Sequence, residues 1–307
     1  MPDQSIGFIG LGVMGRPMAL NLVKAGFPLV VHSRSPSPVD ALVAAGARRA
    51  GGPDEVAAAC DVVITMLPDT PDVEGVLAGA RGVFASMGRA TIVIDMSTIA
   101  PSAARRLAAL AADRGGAMLD APVSGGEIGA IDGTLSIMVG GDGDVLARVR
   151  PILACLGHPD RIVHAGGSGA GQLTKMCNQI VLAATIGGVA EAFALARKAG
   201  VDPARVRQAL LGGFAQSRVL EVHGQRMLDR NYVPGFRAAL FDKDLRLAHV
   251  ALDEHHVPAL VSAAARQLVG AMMAGGEGEA DYSAMARIVF RLAGLDEGDG
   301  HPPDPGQ

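Results

Sequence analysis

Four lysines stand among the 27 basic residues of this 307-residue chain, at Lys24, Lys175, Lys198 and Lys243; the other 23 are arginines. An arginine keeps its proton near neutral pH, whereas a lysine withdrawn from water can release and recover one there. A chain this biased towards arginine still places lysine at 175 and 243, which hints that those positions need an amine. Lys175 lies in Gly169-Ala170-Gly171-Gln172-Leu173-Thr174-Lys175-Met176-Cys177-Asn178. On a helix, Lys175 and Asn178 are three residues apart and share a face, with Gln179 next to them. A lysine beside a carboxamide, at the head of a mostly apolar helix, suits a proton donor with an orienting partner. The same spacing also fits an ordinary surface lysine near a helix end.

A second group of residues could hold an anion. Gly10-Leu11-Gly12-Val13-Met14-Gly15 follows a short apolar run, Ser5 to Ile9, and opens a helical pattern over residues 13 to 25 that Gly26 stops. In that context the three glycines have separate tasks. Gly10 allows the tight turn, Gly12 keeps side chains away from a diphosphate, and Gly15 lets helix and strand pack closely. The helix N-terminus then offers free N–H groups and its positive dipole end. The expected ligand is a nicotinamide dinucleotide. The next strand, Leu29-Val30-Val31, runs into His32-Ser33-Arg34-Ser35 with no carboxylate to hold a ribose 2′-hydroxyl. Arg34, with Ser33 and Ser35 as donors, could instead take a 2′-phosphate. That favours NADP with NAD as an alternative; the competing reading is a solvated surface arginine.

The elements that position these residues change character along the chain. Apolar strand patterns at Asp61 to Leu67, Thr91 to Met96, Ala117 to Val123 and Leu135 to Val139 alternate with helical stretches near 39–45, 71–78 and 101–114. Alternating elements with uniformly apolar strands predict an α/β domain whose parallel sheet is covered on both faces. From Gly171 onwards the pattern is helical, over 171–198, 203–211, 217–229, 242–254 and 258–273. The expected organisation is a Rossmann-type dinucleotide-binding domain over 1–165, an all-α domain over 166–295 that serves substrate binding and dimerisation, and a disordered tail over 296–307. The boundary is expected at the loop Gly166-Gly167-Ser168-Gly169.

Composition narrows the function classes. Hydrophobic residues make up 49% and charged residues 19%, as in a globular protein with a sizeable core. Net charge is -4 and no basic stripe stands out, which argues against nucleic acid. Gln179 to Ala196 is long and apolar, but it carries Gln179 and Glu191 and reads as a helix buried in protein, not a membrane span. Cys60, Cys155 and Cys177 are odd in number and far apart, so no disulfide framework is expected and a reducing cytoplasm fits. Asp253-Glu254-His255-His256 ends a helix before Pro258 and reads as a polar terminus, so no metal site is expected. Met272, Met273 and Met285 are expected in core or subunit contacts.

Four blocks together resemble the β-hydroxyacid dehydrogenase family of 3-hydroxyisobutyrate dehydrogenase-like enzymes. They are Phe8-Ile9-Gly10-Leu11-Gly12-Val13-Met14-Gly15, Asp120-Ala121-Pro122-Val123-Ser124-Gly125-Gly126, Gly169 to Asn178, and Lys243-Asp244-Leu245. The resemblance runs from Ile6 to about Ala293. It implies that Lys175 is the catalytic lysine, with Asn178 its partner, and that Ser124, Gly125 and Gly126 bind the substrate's carboxylate and hydroxyl. It implies that Met66, Leu67 and Pro68 lie under the cofactor's ribose and nicotinamide. Thr98 is then a cofactor contact, and Lys243, supported by Asp244, reaches the cofactor from the helical domain. It also implies a small aldehyde acid or hydroxyacid as substrate and a homodimer or homotetramer. Leu119 to Glu127, Ala130 to Leu135, Gly212 to Ser217 and Asp229 to Phe236 look like the branch acting on tartronate semialdehyde. Ile128-Gly129, Gln216, Arg218 and Phe241-Asp242 depart from that branch. 3-Hydroxyisobutyrate, glyoxylate and succinic semialdehyde therefore remain alternative substrates. Imine reductases share the architecture but usually lack the lysine. A non-catalytic dinucleotide-binding protein would not need Ser124, Lys175 and Asn178 together.

Overall fold

A computed structural model describes residues 4–295. The expected tail over 296–307 lies outside the described residues. The chain divides into two compact units, with the division between Lys175 and Met176.

The first unit is built on nine strands: β1 (Ile6–Ile9), β2 (Leu29–His32), β3 (Arg48–Arg49), β4 (Val62–Thr65), β5 (Ile92–Asp95), β6 (Ala117–Asp120), β7 (Val123–Ser124), β8 (Leu135–Gly140) and β9 (Gly157–Gly166). They form one sheet in the order β3-β2-β1-β4-β5-β6-β8-β7, with β9 also on β8. The first six strands run parallel, in the doubly wound order of a Rossmann-type domain. β1, β4 and β5 are buried along their whole length, which explains why they are predominantly apolar and do not alternate with polar residues.

The sheet is not parallel throughout. β8 runs antiparallel to β6 and β7, and the apolar run expected as one strand over Ala117 to Val123 is two. Pro122, which has no N–H to give to a ladder, lies in the break between them. Some short elements of this unit carry no apolar signature. β3 is two exposed arginines, and most of β9 is exposed. Helices Pro53–Ala59, Gly126–Asp132 and Gly143–Leu153 also join the strands.

Register matters most for function. Ile9 pairs with Thr65, Thr65 with Asp95, and Asp95 with Asp120. The C-terminal ends of β1, β4, β5 and β6 therefore lie level. The segments that follow them (10–15, 66–68, 96–99 and 121–122) lie along one edge of the sheet, where ligands bind in open α/β sheets.

The second unit is helical: the remainder of Ala170–Lys198, then Pro203–Leu211, Arg218–Leu228, Ala238–Glu254, Leu260–Ala274 and Met285–Leu292. Its core gathers Phe193, Leu220, Phe241, Leu245, Val269, Met272 and Met285. Ala170–Lys198 is apolar and long enough to cross a membrane, and half of its most apolar stretch is buried within the chain. Ala183, Ile186, Ala190 and Phe193 form the buried side, while Val181 and Leu195 are exposed.

The division between the units falls inside this helix, beyond the glycine loop expected to mark it. The reason is close packing at the helix head. A Cβ on Gly171 would stand 2.4 Å from the Met138 carbonyl oxygen and 2.6 Å from that of Asp120. The first turns of the helix are thus bound into the sheet.

Candidate active site

The glycine loop leaves β1 at Gly10, whose φ of 98° only glycine adopts without strain. A Cβ there would lie 2.3 Å from the Met66 carbonyl oxygen. At Gly15 it would lie 1.9 Å from the Gly10 carbonyl oxygen, so this glycine allows the helix Gly15–Lys24 to start against the strand. Gly12 differs: a Cβ there would meet nothing within 4 Å. No packing in the protein demands that glycine, and the open space fits a ligand group that approaches the backbone. The helix has no acid in its first turn and no side-chain cap. Its terminal N–H groups and dipole therefore suit a diphosphate. Leu11 is 2% exposed and packs in the core, so only its backbone faces that space; Val13 is exposed and Met14 half-buried.

The end of β2 carries Ser33, Arg34 and Ser35. The Arg34 side chain is 82% exposed, and its Nη1 lies 3.5 Å from Oδ1 of Asp72 in the helix Thr70–Ala78. Absence of a carboxylate from the strand end itself is thus offset by one from the next layer, which the local sequence does not reveal.

Next to the glycine loop, Met66 and Leu67 are half-buried and Pro68 is exposed. The Leu67 N–H donates to Ser97 Oγ at 2.8 Å, which joins the segment after β4 to the segment after β5 that carries Thr98. Ser97 is fully buried, and its backbone N–H donates to Asp95 Oδ1 at 3.2 Å. Asp95 also accepts from Thr65 Oγ1 at 2.7 Å. Burial pushes the Asp95 carboxyl up to about 6, against the lowering effect of these hydrogen bonds.

Lys175 projects from the helix Ala170–Lys198 and is 7% exposed. Its Nζ donates to the Val123 carbonyl oxygen at 2.9 Å. Val123 immediately precedes Ser124, Gly125 and Gly126, so the amine and that loop converge. Gly125 has φ 140° and Gly126 φ 64°, conformations that turn successive backbone groups out of a strand. Ser124 is half-buried, and space around Gly126 is open.

The helix head is held by Asp120, which is 2% exposed. Its Oδ1 accepts from Gly169 N–H at 2.7 Å and its Oδ2 from Gln172 N–H at 2.9 Å. A carboxylate on the free N–H groups of a helix start also meets the positive dipole end. Burial still raises the Asp120 carboxyl above its ordinary value, partly offset by those N–H donors. The sequence assigns no role to Asp95, Asp120 or Gln172, although Asp120 and Gln172 lie within two of the motif blocks. For Asp95 and Asp120 the local signal is an acid closing an apolar strand.

In the helical unit, Asn178 Nδ2 donates to Gln179 Oε1 at 2.8 Å, and Gln179 Nε2 donates to Asp244 Oδ2 at 2.6 Å. The other Asp244 oxygen lies 2.8 Å from Lys243 Nζ. Asn178, Gln179, Asp244 and Lys243 thus form one polar chain, and Asp244 supports Lys243 directly. Among the described residues, no group of three or more His, Cys, Asp or Glu could hold a metal ion.

Comparison with known proteins shows the family. Residues 5–167 match the family model described as the NAD binding domain of 6-phosphogluconate dehydrogenase. Residues 169–289 match that described as NAD-binding of NADP-dependent 3-hydroxyisobutyrate dehydrogenase. The chain is 46% identical to 2-hydroxy-3-oxopropionate reductase of Escherichia coli, over 94% of this chain and 98% of that protein. It is 40% identical to an NAD-dependent L-serine dehydrogenase of Pseudomonas aeruginosa, over 93% and 97%. The solved structure of Mycobacterium tuberculosis 3-hydroxyisobutyrate dehydrogenase with L-serine is similar with a TM-score of 0.85 and 36% identity, covering 93% of this chain and 99% of that one. With its doubly wound sheet, its glycine loop and its helical second unit, the chain belongs to the 3-hydroxyisobutyrate dehydrogenase-like β-hydroxyacid dehydrogenases, enzymes that act on small hydroxyacids with a nicotinamide dinucleotide.

Proposed function

We propose that this enzyme reversibly reduces a small aldehyde acid, tartronate semialdehyde to glycerate, with NADPH preferred and with Lys175 as the proton donor. The observation that carries the reading is the 2.9 Å hydrogen bond from Lys175 Nζ to the Val123 carbonyl, which sets the amine beside the Ser124 loop. Identity of 46% to a 2-hydroxy-3-oxopropionate reductase supports the choice of substrate.

The dinucleotide, when bound, supplies the hydride. Gly10, Gly12 and Gly15 with the head of the helix Gly15–Lys24 would hold its diphosphate, and Met66, Leu67, Pro68 and Thr98 would flank the ribose and nicotinamide. Arg34, with Ser33 and Ser35, would take the 2′-phosphate that distinguishes NADP from NAD. Lys243, paired with Asp244, would be a further cofactor contact, as the family resemblance implies. Ser124 and the Gly125 and Gly126 amides hold the substrate's carboxylate and so fix which way its aldehyde faces. As the carbonyl carbon takes up hydride, charge grows on its oxygen. Protonated Lys175 stabilises that charge and donates a proton to the oxygen. The lysine is left neutral and is recharged from solvent; in the oxidative direction the neutral amine accepts the hydroxyl proton. Asn178, one helical turn from Lys175, orients the amine or the substrate oxygen.

The test is a panel assay of NADPH oxidation with tartronate semialdehyde, glyoxylate, succinic semialdehyde and methylmalonate semialdehyde, and of the reverse reaction with 3-hydroxyisobutyrate and L-serine. The reading expects the highest kcat/KM with tartronate semialdehyde. A higher value with another substrate moves the assignment to that acid, and no turnover of any substrate refutes the chemistry.

A further inference from the structure

Gln172 is fully buried, and its side chain bridges two segments that the reaction must keep in register. Its Nε2 donates to the Ser97 carbonyl oxygen at 2.8 Å, and its Oε1 accepts from Ile99 N–H at 3.0 Å. One partner can only accept and the other can only donate, so the orientation of the carboxamide is determined by its neighbours. The two bonds enclose Thr98. Ser97 Oγ in turn accepts from Leu67 N–H, so the segment expected under the ribose and nicotinamide is linked through Ser97 to the segment that Gln172 holds, which carries the expected cofactor contact Thr98. On the helix side, Gln172 N–H donates to Asp120, and Lys175 lies three residues further along the same helix.

We propose that Gln172 is a positioning residue for the reaction: it fixes the helix that carries Lys175 against the cofactor-flanking segment Ser97–Ile99, and thereby sets where the amine stands relative to the reacting carbonyl. The inference rests on Lys175 being the proton donor. A small misplacement of a proton donor costs rate steeply, because proton transfer requires hydrogen-bond distance to the reacting oxygen. No hydrophobic residue can supply both bonds. A neutral carboxylic acid can, since its hydroxyl donates and its carbonyl accepts. An ionised carboxylate offers only acceptors, one of them facing the Ser97 carbonyl oxygen, and cannot.

That difference supplies the test. Gln172→Met, Gln172→Glu and Lys175→Ala are compared with the wild type, measuring kcat, KM and reduced-dinucleotide Kd from about pH 5 to 9 at a temperature where each is folded. The expected result for Gln172→Met is a kcat lower by roughly ten- to a hundredfold, with KM and Kd changed much less. For Gln172→Glu, kcat relative to the wild type at the same pH should recover as pH falls and the introduced carboxyl becomes neutral, a recovery that Gln172→Met does not share. A purely structural role would lower Tm without that recovery. If Gln172→Met does not fold, the pH profile of Gln172→Glu decides alone. A profile parallel to wild type, or wild-type kcat in folded Gln172→Met, overturns the positioning role while an inactive Lys175→Ala leaves the acid in place. Near-wild-type turnover in Lys175→Ala overturns both.

Discussion

Arg34 Nη1 lies 3.5 Å from Asp72 Oδ1, although two strands and two helices separate them along the chain. The pair is solvent-exposed on the arginine side, so it is worth at most about 1 kcal/mol and is easily redirected towards a stronger anion. A 2′-phosphate would compete with Asp72 for the guanidinium and would also be repelled by it. Arg34→Ala should therefore lower kcat/KM for NADPH about ten- to a hundredfold, with a smaller change for NADH, as loss of a charge-assisted bond implies. Asp72→Asn should shift the NADPH/NADH ratio the other way by a few-fold. Steady-state kinetics with both cofactors check both signs; a clear wild-type preference for NADH contradicts the role given to Arg34.

The packing role of Gly15 and the ligand-approach role of Gly12 are separable by alanine. Gly15→Ala forces a Cβ to 1.9 Å from a backbone oxygen, so the variant should lose stability, by about 1–3 kcal/mol for an overpacked site, and lower Tm. Gly12→Ala meets no protein atom, so Tm of the free protein should hold while dinucleotide Kd weakens markedly. Thermal melts with and without NADPH, beside a fluorescence titration, distinguish the two. Unchanged Kd in Gly12→Ala would mean that the diphosphate lies elsewhere.

Asp95 gives a pH dependence with a defined sign. Its carboxyl is raised from 3.8 to about 6 by burial, so between those values the folded state holds a proton that the unfolded chain has released. The stabilisation from this group is full below about pH 3.8 and is lost as pH rises towards 6, with a slope of up to about 1.4 kcal/mol per pH unit. Urea denaturation at intervals across pH 4–7 should show that slope in the wild type relative to Asp95→Asn. Parallel curves for the two would show that Asp95 does not titrate there.

Much of this was legible in the sequence because the informative signals are local. Buried parallel strands show as runs such as Val62–Thr65 and Ile92–Asp95, and the Gly10–Gly15 loop announces itself between a strand and a helix. Lys175 stood out by its residue type in an arginine-rich chain. What escaped was either exposed or long-range. β9 carries few buried residues and so no apolar period. Asp72 sits in the first turn of a helix, where an acid is expected for its dipole alone, and nothing nearby in sequence ties it to Arg34. Gln172 and Ser97 meet across 75 positions, and Asp120 holds residues 49 and 52 positions away. Periodicity describes which face of an element is buried; it carries no information about which polar group closes a tertiary contact.

The account depends most on Lys175. Single-turnover reduction of tartronate semialdehyde by NADPH, followed by loss of the reduced-nicotinamide absorbance in wild type and Lys175→Ala, isolates the chemical step from product release. The expected result is a rate lower by about a hundred- to ten-thousandfold in Lys175→Ala, with NADPH Kd unchanged within a few-fold. A rate within threefold of wild type would contradict the assignment of Lys175 as the proton donor.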